Sequence, residues 1–216
     1  GSKFKVHPCM PTLDHENTLR AAGFRIVAGI DEAGRGPLAG PVCVAAVVLP
    51  ADFTHPVLND SKQLTEAKRE RLYEEITGDA RIRWHCVSIE PDEIDRINIL
   101  QATWSGMRAA ALALDPLPDA VLIDGRPVKQ YPLHQVALVK GDSLSYSIAA
   151  ASIIAKVTRD RFMVALAEEH PQYGFEIHKG YPTPAHLAAL KKFGPCPHHR
   201  RSFGPVAQSE FQFDEV

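Results

Sequence analysis

The sequence predicts an α/β protein built on a mixed five-stranded sheet that is flanked by helices. Five short apolar segments have the length and composition of strands, and they cover residues 24–30, 41–49, 81–89, 120–123 and 134–139. Three strands come early and the later ones alternate with helices, which is the order of a mixed sheet covered by helices. The crossover through residues 91–119 should place the strand ending at Asp124 parallel to an earlier strand. If that neighbour is the first strand, Asp124 lies beside Asp31.

Caps and breakers predict five helices, over residues 12–22, 65–76, 91–114, 142–170 and 183–193. Gly23 and Gly78 follow the first two, as glycine commonly ends a helix. The third helix should consist of two pieces with a break near Asn98. Residues 171–182, between the last two helices, are expected to be irregular.

Composition indicates one globular domain of ordinary type. The 216 residues are 45% hydrophobic and 23% charged, which is enough for a substantial core. No apolar run approaches the roughly 20 residues that span a bilayer, and the start does not resemble a signal peptide. The four cysteines form no C-x-x-C pair. We therefore expect a reduced, cytoplasmic, monomeric protein that is not associated with a membrane.

Charge is distributed unevenly along the chain. Residues 1–119 carry 13 Lys/Arg against 17 Asp/Glu, a net charge of -4. Residues 120–201 carry 11 Lys/Arg against 6 Asp/Glu, a net charge of +5. A basic second half suits a nucleic-acid backbone, although solvated surface charge is the commoner reason for such an excess.

The segment 29–40 joins two acids to a glycine-flanked arginine. The apolar run over residues 26–30 ends in Asp31 and Glu32. Neighbouring carboxylates at the end of a buried strand are costly without a partner and attract a hard cation. The glycines on either side of Arg35 let the backbone approach a ligand, and the planar guanidinium suits a phosphate. This combination is the chemistry of a phosphodiester-cleaving enzyme, although Arg35 could simply neutralise the two acids.

Two further acids extend the candidate ligand set. Asp124 follows an apolar strand, and Asp142 opens the predicted long helix, so both are expected at strand ends near Asp31. Each has an alternative role, because Asp-Gly is a common turn pair and Asp142, or else Ser143, could be an N-cap. Carboxylates without cysteine indicate Mg²⁺ or Mn²⁺ rather than zinc. Two such ions about 4 Å apart would activate a water for in-line displacement at phosphorus.

Two other sequence motifs are present in part, but the residues around them do not support the functions that these motifs usually indicate. Gly34-x-Gly36-x-x-Ala39 matches a relaxed dinucleotide fingerprint, but a valine-rich strand follows it instead of the helix that must hold the pyrophosphate. Residues 141–145 lack the closing glycine of a nucleophile elbow, so a serine hydrolase is not indicated.

Seven segments resemble bacterial ribonuclease HII. They are GIDEAGRGPLAGPV (29–42), LNDSKQL (58–64), INILQATWSGM (97–107), LIDG (122–125), KGDSLSYSIAAASIIAKVTRD (140–160), HPQYGFEIHKGYPTPAHL (170–187) and RRSFGPV (200–206). The resemblance implies an RNase H-like fold with a helical C-terminal portion and a catalytic domain over residues 24–206. Residues 1–23 would be an extension with a short helix, and residues 207–216 a tail. The related type HIII enzymes carry an extra N-terminal domain and a different glycine loop, whereas this sequence has few residues before Gly29.

The resemblance also implies a reaction. The family cleaves the RNA strand of RNA–DNA hybrids and nicks duplex DNA on the 5′ side of an embedded ribonucleotide, leaving 3′-OH and 5′-phosphate ends. Its metal-binding and catalytic carboxylates match Asp31, Glu32, Asp124 and Asp142. Gly34, Arg35 and Gly36 would sense the 2′-hydroxyl and phosphate at the RNA–DNA junction. Tyr181 would pack on the following deoxyribose, the alternative being a loop aromatic that covers the last helix.

Further substrate contacts are expected in the matching segments, from Lys62, Asn98, Gln101, Ser143, Ser147 and Lys156, and from the phosphate-binding candidates Lys191, Lys192, Arg200 and Arg201. A solvated or capping role is the alternative for each. The adjacent His198 and His199 have no third ligand nearby in sequence and receive no role. Two rival functions remain open: another metal nuclease of the same fold, and a catalytically silent nucleic-acid-binding module, against which the intact acids argue.

Overall fold

The computed structural model describes residues 10–59, 61 and 64–210. Its strands are β1 (Val27–Ala33), β2 (Val42–Val48), β3 (Arg83–Ile89), β4 (Ala120–Asp124) and β5 (His134–Leu138). Its α-helices are α1 (Asp14–Ala21), α2 (Glu66–Gly78), α3 (Pro91–Leu112), α4 (Tyr146–Glu169), α5 (Phe175–His178), α6 (Pro184–Phe193) and α7 (Gly204–Glu210). Turns of 3₁₀ helix cover Gly141–Ser143 and Pro171–Tyr173. Within the described ranges, no helix has both the length and the apolar character that crossing a bilayer demands.

The five strands form one mixed sheet in the order β3-β2-β1-β4-β5. β2 is antiparallel to both of its neighbours, whereas β1, β4 and β5 are parallel. The parallel register sets Ile30 opposite Ile123, so Asp31 and Asp124 follow at the same edge of the sheet. This pairing confirms the predicted sheet and the inferred neighbourhood of the two acids.

Helices cover both faces of the sheet. On one face α4 packs its alanines and isoleucines against buried residues of β2, and α2 extends this layer. On the other face α3 packs Met107 near Ile30. The approach of α4 to β1 is closest at Gly29, where an added Cβ would lie 2.2 Å from the carbonyl carbon of Ser147. Only glycine therefore lets the beginning of α4 lie this close to β1.

The first strand differs from the prediction at both ends. It begins at Val27 rather than at residue 24, and it continues through Asp31 and Glu32 to Ala33. Its antiparallel pairing with β2 extends to the pair Ala33–Cys43, and these hydrogen bonds keep the acids inside the strand. The two acids therefore have a rigid extended backbone.

The predicted capping role of Asp142 or Ser143 is wrong. The long helix begins at Tyr146, and Ser145 Oγ accepts the N–H of Ile148 at 3.2 Å as its N-cap. Asp142 lies before the helix in a 3₁₀ turn, so its carboxylate is not used as a cap.

The interruption near Asn98 is confirmed. Asn98 has φ 67° and ψ 161°, which breaks α3 into two pieces. Its side-chain oxygen accepts the N–H groups of Leu100 and Gln101 at 3.0 and 3.1 Å and so caps the second piece.

The C-terminal region is more helical than predicted from periodicity. Residues 171–182 contain a 3₁₀ turn and α5 instead of irregular chain, and α7 follows the helix predicted to be the last. These helices have at most seven residues, which is too short for an apolar period to be recognised. α7 also extends across the predicted boundary at residue 206.

Candidate metal centre and nucleic-acid interface

Three acids converge where the parallel strands end. Asp31 lies in β1, Asp124 ends β4, and Asp142 lies in the turn that follows β5. One carboxylate oxygen from each lies within 4.8 Å of the other two. Parallel strands open their carboxyl ends on one edge of a sheet, where ligands are commonly bound.

Backbone amides orient two of these acids. Asp31 Oδ1 accepts the N–H of Glu32 at 2.7 Å, and Asp124 Oδ1 accepts the N–H of Gly141 at 2.7 Å. Asp31 and Asp142 are only 3% and 4% exposed, so solvent screens their charges weakly.

The cluster is electrostatically strained without a cation. Burial, and then repulsion from Glu32 and Asp124, raise the pKa of Asp31 well above its ordinary value, with a smaller contribution from Asp142. The amide hydrogen bond to Asp31 opposes this rise only in part. Buried carboxylate oxygens held close together suit a hard divalent cation, so the donor set fits Mg²⁺ or Mn²⁺.

Glu32 borders the cluster. Successive side chains of a strand point to opposite faces, so Glu32 and Asp31 diverge although they are adjacent. Glu32 Oε1 accepts a hydrogen bond from Arg35 Nη1 at 3.1 Å, and Arg35 is half-exposed. Arg35 therefore forms an ion pair with Glu32, which is the neutralising role given above as the alternative for Arg35.

Two buried guanidinium groups brace the glycine loop, which we define as residues 34–41. Arg200 donates to the carbonyls of Gly34, Arg35 and Gly40 at 2.6 to 3.1 Å. It is fully buried, so its predicted contact with phosphate is wrong. Burial and repulsion from Arg159 lower the pKa of Arg200 to about 9.

Arg159 braces the other side of the loop. It donates to the carbonyls of Ala39 and Pro41 at 3.0 Å each, and to Lys179 at 3.0 Å. Gly34 has φ +98°, and a Cβ there would lie 2.1 Å from Arg159 Nε, so only glycine fits between the loop and this side chain. The resemblance assigned neither arginine this role, which depends on contacts distant in sequence.

A groove of about 210 Å³ adjoins the loop. Its lining includes Glu32, Arg35, Gly36, Lys156 and Tyr181. Lys156 donates to Asp160 at 2.7 Å, and burial lowers the pKa of its ammonium group although the Asp160 carboxylate opposes this. Tyr181 is 43% exposed, and a Cβ on Gly36 would lie 3.6 Å from the Cε1 atom of its ring. With Gly34, which also lines this groove, the fold brings five predicted substrate-binding residues to one cleft.

A larger groove of about 750 Å³ lies on the other side of Glu32 and Arg35. It is lined in part by Trp104, Arg126 and Lys129. Bases stack on aromatic rings and phosphates are attracted to cations, so this lining suits a nucleic acid. Trp104 lies inside one of the matching segments. A tryptophan can pack in a core or line a groove, so its residue type alone did not predict its position in this groove.

The remaining predicted contacts divide by exposure. Ser147 is fully buried and donates through its Oγ to Glu16 at 2.6 Å, so its predicted contact with nucleic acid is wrong. Ser143 Oγ lies half-buried at 3.5 Å from Asp142 Oδ1. Gln101, Lys191, Lys192 and Arg201 are exposed, as is the capping residue Asn98. Lys62 lies outside the described residues, so its predicted role is not examined by the structure.

Glu16 is a supporting residue that the sequence did not reveal. Its Oε1 accepts from Ser145 Oγ at 2.6 Å and from the N–H and Oγ of Ser147 at 3.0 and 2.6 Å. A carboxylate at the N-terminus of α4 is favoured by the helix dipole. Glu16 thereby ties α1 to the segment that carries Asp142.

A second group of ligand-type side chains lies at the other end of α4. Donor atoms of Glu169, His170 and His198 lie within 4.8 Å of one another. His198 has no such neighbours in sequence, and only the fold supplies them. His199 does not join this group, because its Nε2 lies 3.0 Å from His186 Nε2 in a buried cluster.

Comparison with known proteins identifies the family. A model described as ribonuclease HII matches residues 28–206. The chain belongs to the ribonuclease HII family. Relatives of that name include the protein of Xanthomonas campestris pv. campestris (strain 8004), which is 56% identical over 86% of this chain and 78% of its own length. The ribonuclease HII of Listeria monocytogenes serotype 4a (strain HCC23) is 52% identical over 94% of this chain and 77% of its own.

Solved structures agree with this assignment. Ribonuclease H2 from Pyrococcus horikoshii OT3 has a TM-score of 0.75 at 28% identity, covering 88% of this chain and 100% of that one. The ribonuclease HII of a PCNA complex from Archaeoglobus fulgidus has a TM-score of 0.69 at 28% identity, covering 82% and 95%. Bst-RNase HIII in complex with Mn²⁺ has a TM-score of 0.61 at 18% identity, covering 88% and 71%, and shares the fold. The resemblance and the RNase H-like fold are confirmed, and the chain is a ribonuclease H, a nuclease of the hydrolase class.

Proposed function

We propose that this ribonuclease HII cleaves the RNA strand of RNA–DNA hybrids and nicks duplex DNA 5′ to a single ribonucleotide. The observation that carries the proposal is the position of the braced glycine loop directly after the strand that holds Asp31 and Glu32. A phosphate read by the loop would then lie within reach of the acids. We propose a monomer in a reduced cytoplasm, in keeping with the free thiols of Cys43, Cys86 and Cys196.

Asp31, Asp124 and Asp142, joined by Glu32, would hold the divalent ions. When bound, two Mg²⁺ or Mn²⁺ ions would supply activation of water and neutralisation of charge at the phosphate, and the products would carry 3′-OH and 5′-phosphate ends. The protein itself contributes fixed geometry. The extended backbone of β1 and the amide bonds to Asp31 and Asp124 hold carboxylate oxygens in place before the substrate arrives.

The loop presents backbone donors to the substrate. The carbonyls of Gly34 and Arg35 point at the buried guanidinium of Arg200. In a trans peptide the following N–H points the opposite way, so the amides of Arg35 and Gly36 face away from the interior. Such amides suit the phosphate and the 2′-hydroxyl, the group that locally distinguishes RNA from DNA. Tyr181, beside Gly36, would pack on the sugar that follows and exclude a second 2′-hydroxyl there.

The test uses a labelled duplex that contains one ribonucleotide, a matched all-DNA duplex and a continuous RNA–DNA hybrid. We expect a metal-dependent nick on the 5′ side of the ribonucleotide, none on the DNA control, and none with EDTA. Asp124→Asn keeps the shape of the side chain and its acceptor for the Gly141 amide, and it should abolish cleavage while the protein stays folded. Cleavage of the hybrid without the junction nick would refute the junction reading, and activity in Asp124→Asn would refute the metal centre.

A further inference from the structure

The backbone that carries Tyr181 is held from beneath by a buried histidine. His186 Nδ1 lies 2.9 Å from the carbonyl oxygen of Tyr181, and His186 is fully buried. The N–H of Leu38 in the glycine loop donates to the carbonyl of Gly180 at 2.8 Å, so the same segment also touches the loop. The position of the Tyr181 ring therefore depends on His186 from one side and on the loop from the other.

The partners of the histidines fix both tautomers. The N–H of Cys196 donates to His199 Nδ1 at 3.0 Å, and an amide can only donate, so the proton of neutral His199 is on Nε2. His199 Nε2 lies 3.0 Å from His186 Nε2 and must donate to it. The proton of His186 is then on Nδ1, where the carbonyl of Tyr181 accepts it. Each donor in this relay faces an acceptor when both rings are neutral.

A third ring locks the relay from the side. His178 stacks on His186 with ring centroids 4.5 Å apart and an interplanar angle of 14°. Its Nδ1 accepts the N–H of Gly180 at 3.2 Å, and its Nε2 donates to the carbonyl of Tyr173 at 2.8 Å. The rings thus have little freedom to reorient, which is the condition for fixing the segment above them.

We propose that His186, whose tautomer is set by His199, is a positioning residue for Tyr181 and so sets the selectivity of the enzyme for the RNA–DNA junction. The proposal rests on the proposed function, in which Tyr181 packs on the sugar after the cleaved bond. Neither histidine touches substrate. Their effect should therefore fall on discrimination between substrates and spare the chemistry at the acids, since a shift of about 1 Å in a positioning group can cost up to a hundredfold in rate.

Two substitutions at one position separate this role from simple packing. In His186→Asn the amide nitrogen falls near the place of Nδ1 and can still donate to Tyr181, while contact with His199 is lost. In His186→Gln the amide reaches toward the place of Nε2, and the bond to Tyr181 is lost. Thermal melting shows that each variant is folded, and hydrogen exchange measures the amide of Thr183, which donates to the Tyr181 carbonyl at 2.8 Å.

We expect His186→Gln to lower kcat/KM at a single ribonucleotide about tenfold more than on a continuous hybrid, and to speed exchange at Thr183. His186→Asn should retain most of both properties, and His186→Gln should add nothing to Tyr181→Ala. Equal losses on both substrates, or equal exchange in the two variants, would overturn the proposal. If instead the wild type and Tyr181→Ala do not differ at the junction, the proposed function fails while the exchange result still decides the positioning role.

A separate observation concerns the group formed by Glu169, His170 and His198. No hydrogen bond or ion pair joins these three side chains to another residue in the described part of the chain. The ring centroids of His170 and His198 lie 5.8 Å apart. The backbone carbonyl of His198 accepts a hydrogen bond from the N–H of Gly40 at 2.9 Å. The group is separated from the three acids by α4, whose 24 residues extend roughly 36 Å.

We infer that this group binds a transition-metal ion of the Zn²⁺ type. Two imidazoles and a carboxylate are a common zinc donor set, and the ion would join the end of α4 to the segment before Arg200. Exposed Glu169 can make the small adjustment that brings all donors to about 2 Å from the metal.

The test is thermal melting of the full chain in the Asp124→Asn background, which weakens the acidic centre. About 50 μM ZnCl₂ should raise the melting temperature by roughly 3 °C, and His170→Gln should abolish that rise, whereas Mg²⁺ should give no such rise. A zinc shift that persists in His170→Gln, or no shift in the parent, would overturn the inference.

Discussion

Replacing Asp31 with Asn should make the metal-free protein more stable while removing its activity. Asn has the same shape and keeps an acceptor for the Glu32 amide, which lies 2.7 Å from Oδ1. What changes is the charge. Burial and repulsion raise the pKa of Asp31, so the ionised form is disfavoured in the folded state. The unfolded chain has no such penalty.

The size of the effect follows from the spacing of the oxygens. The ligand oxygens of these acids lie within 4.8 Å of one another, and two unit charges at that upper bound repel by about 3.5 kcal/mol at an effective dielectric constant near 20. The amide hydrogen bond to Asp31 offsets part of this repulsion. We therefore expect Asp31→Asn to gain about 2 kcal/mol, or roughly 4–8 °C in melting temperature for a chain of this size.

The assay compares thermal melting in EDTA and in Mg²⁺ for wild type, Asp31→Asn and the exposed control Glu168→Gln. Because the folded pKa of Asp31 is raised, the stability of the metal-free wild type should fall as pH rises above about 4, through that pKa. Asp31→Asn should lack this fall. With about 10 mM Mg²⁺ and a millimolar Kd, the wild type should gain roughly 1.4 kcal/mol that Asp31→Asn does not.

Two results would refute the reasoning. If Asp31→Asn is less stable than the wild type in EDTA, the acids are not in repulsion and their convergence has another cause. If the variant keeps the full response to Mg²⁺, Asp31 is not a ligand. Glu168→Gln should change neither quantity, since its side chain is exposed and distant from the cluster.

Three further predictions test the scaffold around the site. Gly29→Ala should cost about 3 kcal/mol in urea unfolding, because its Cβ would lie 2.2 Å from backbone of Ser147, and an inert variant would contradict the close approach of α4. Arg200→Lys should lower cleavage at least about tenfold, measured as kcat/KM, since an ammonium cannot replace the guanidinium fork beneath the glycine loop; unchanged cleavage would show that the loop needs no brace. Burial, and then repulsion from His186, lower the pKa of His199 to about 3. The neutral ring therefore contributes its full stability to the fold above pH 6.5, and this contribution is lost as pH falls from 6.5 toward 3. The destabilisation caused by His199→Gln should therefore shrink by about 2 kcal/mol between pH 7 and pH 5 in urea unfolding, and a constant difference would contradict the lowered pKa.

The sheet and most helices could be predicted from local pattern. Runs of valine and alanine have the length of strands, and the break at Asn98 in the long helix was visible in sequence. The helix start at Tyr146 was missed because several polar residues precede it, and local pattern does not decide which of Asp142, Ser143 and Ser145 turns its side chain to the helix amides. α7 was missed because seven residues show no clear period.

The residues of the candidate site likewise include some that could be predicted from the sequence and some that could not. Asp31 and Glu32 stand out in sequence because adjacent acids after an apolar run are unusual. Asp124 and Asp142 were inferred from their positions at predicted strand ends, and the family resemblance then matched all four acids. Arg200 was misread as a phosphate ligand, because an arginine has the same local signature on a surface as in a buried brace. Its burial is set by Gly34 and Gly40, which are more than 150 residues away in sequence.

The sequence by itself thus determined the order of helices and strands, the family, and the acids of the proposed metal centre. These depend on periodicity and residue type, which are local properties. Only the tertiary structure decided that Glu16 supports α4, that Arg159 and Arg200 brace the glycine loop, and that a neutral histidine relay lies under Tyr181. The physical reason is that hydrogen-bond direction, burial and tautomer depend on partners distant in sequence, and those partners exist only after the chain has folded.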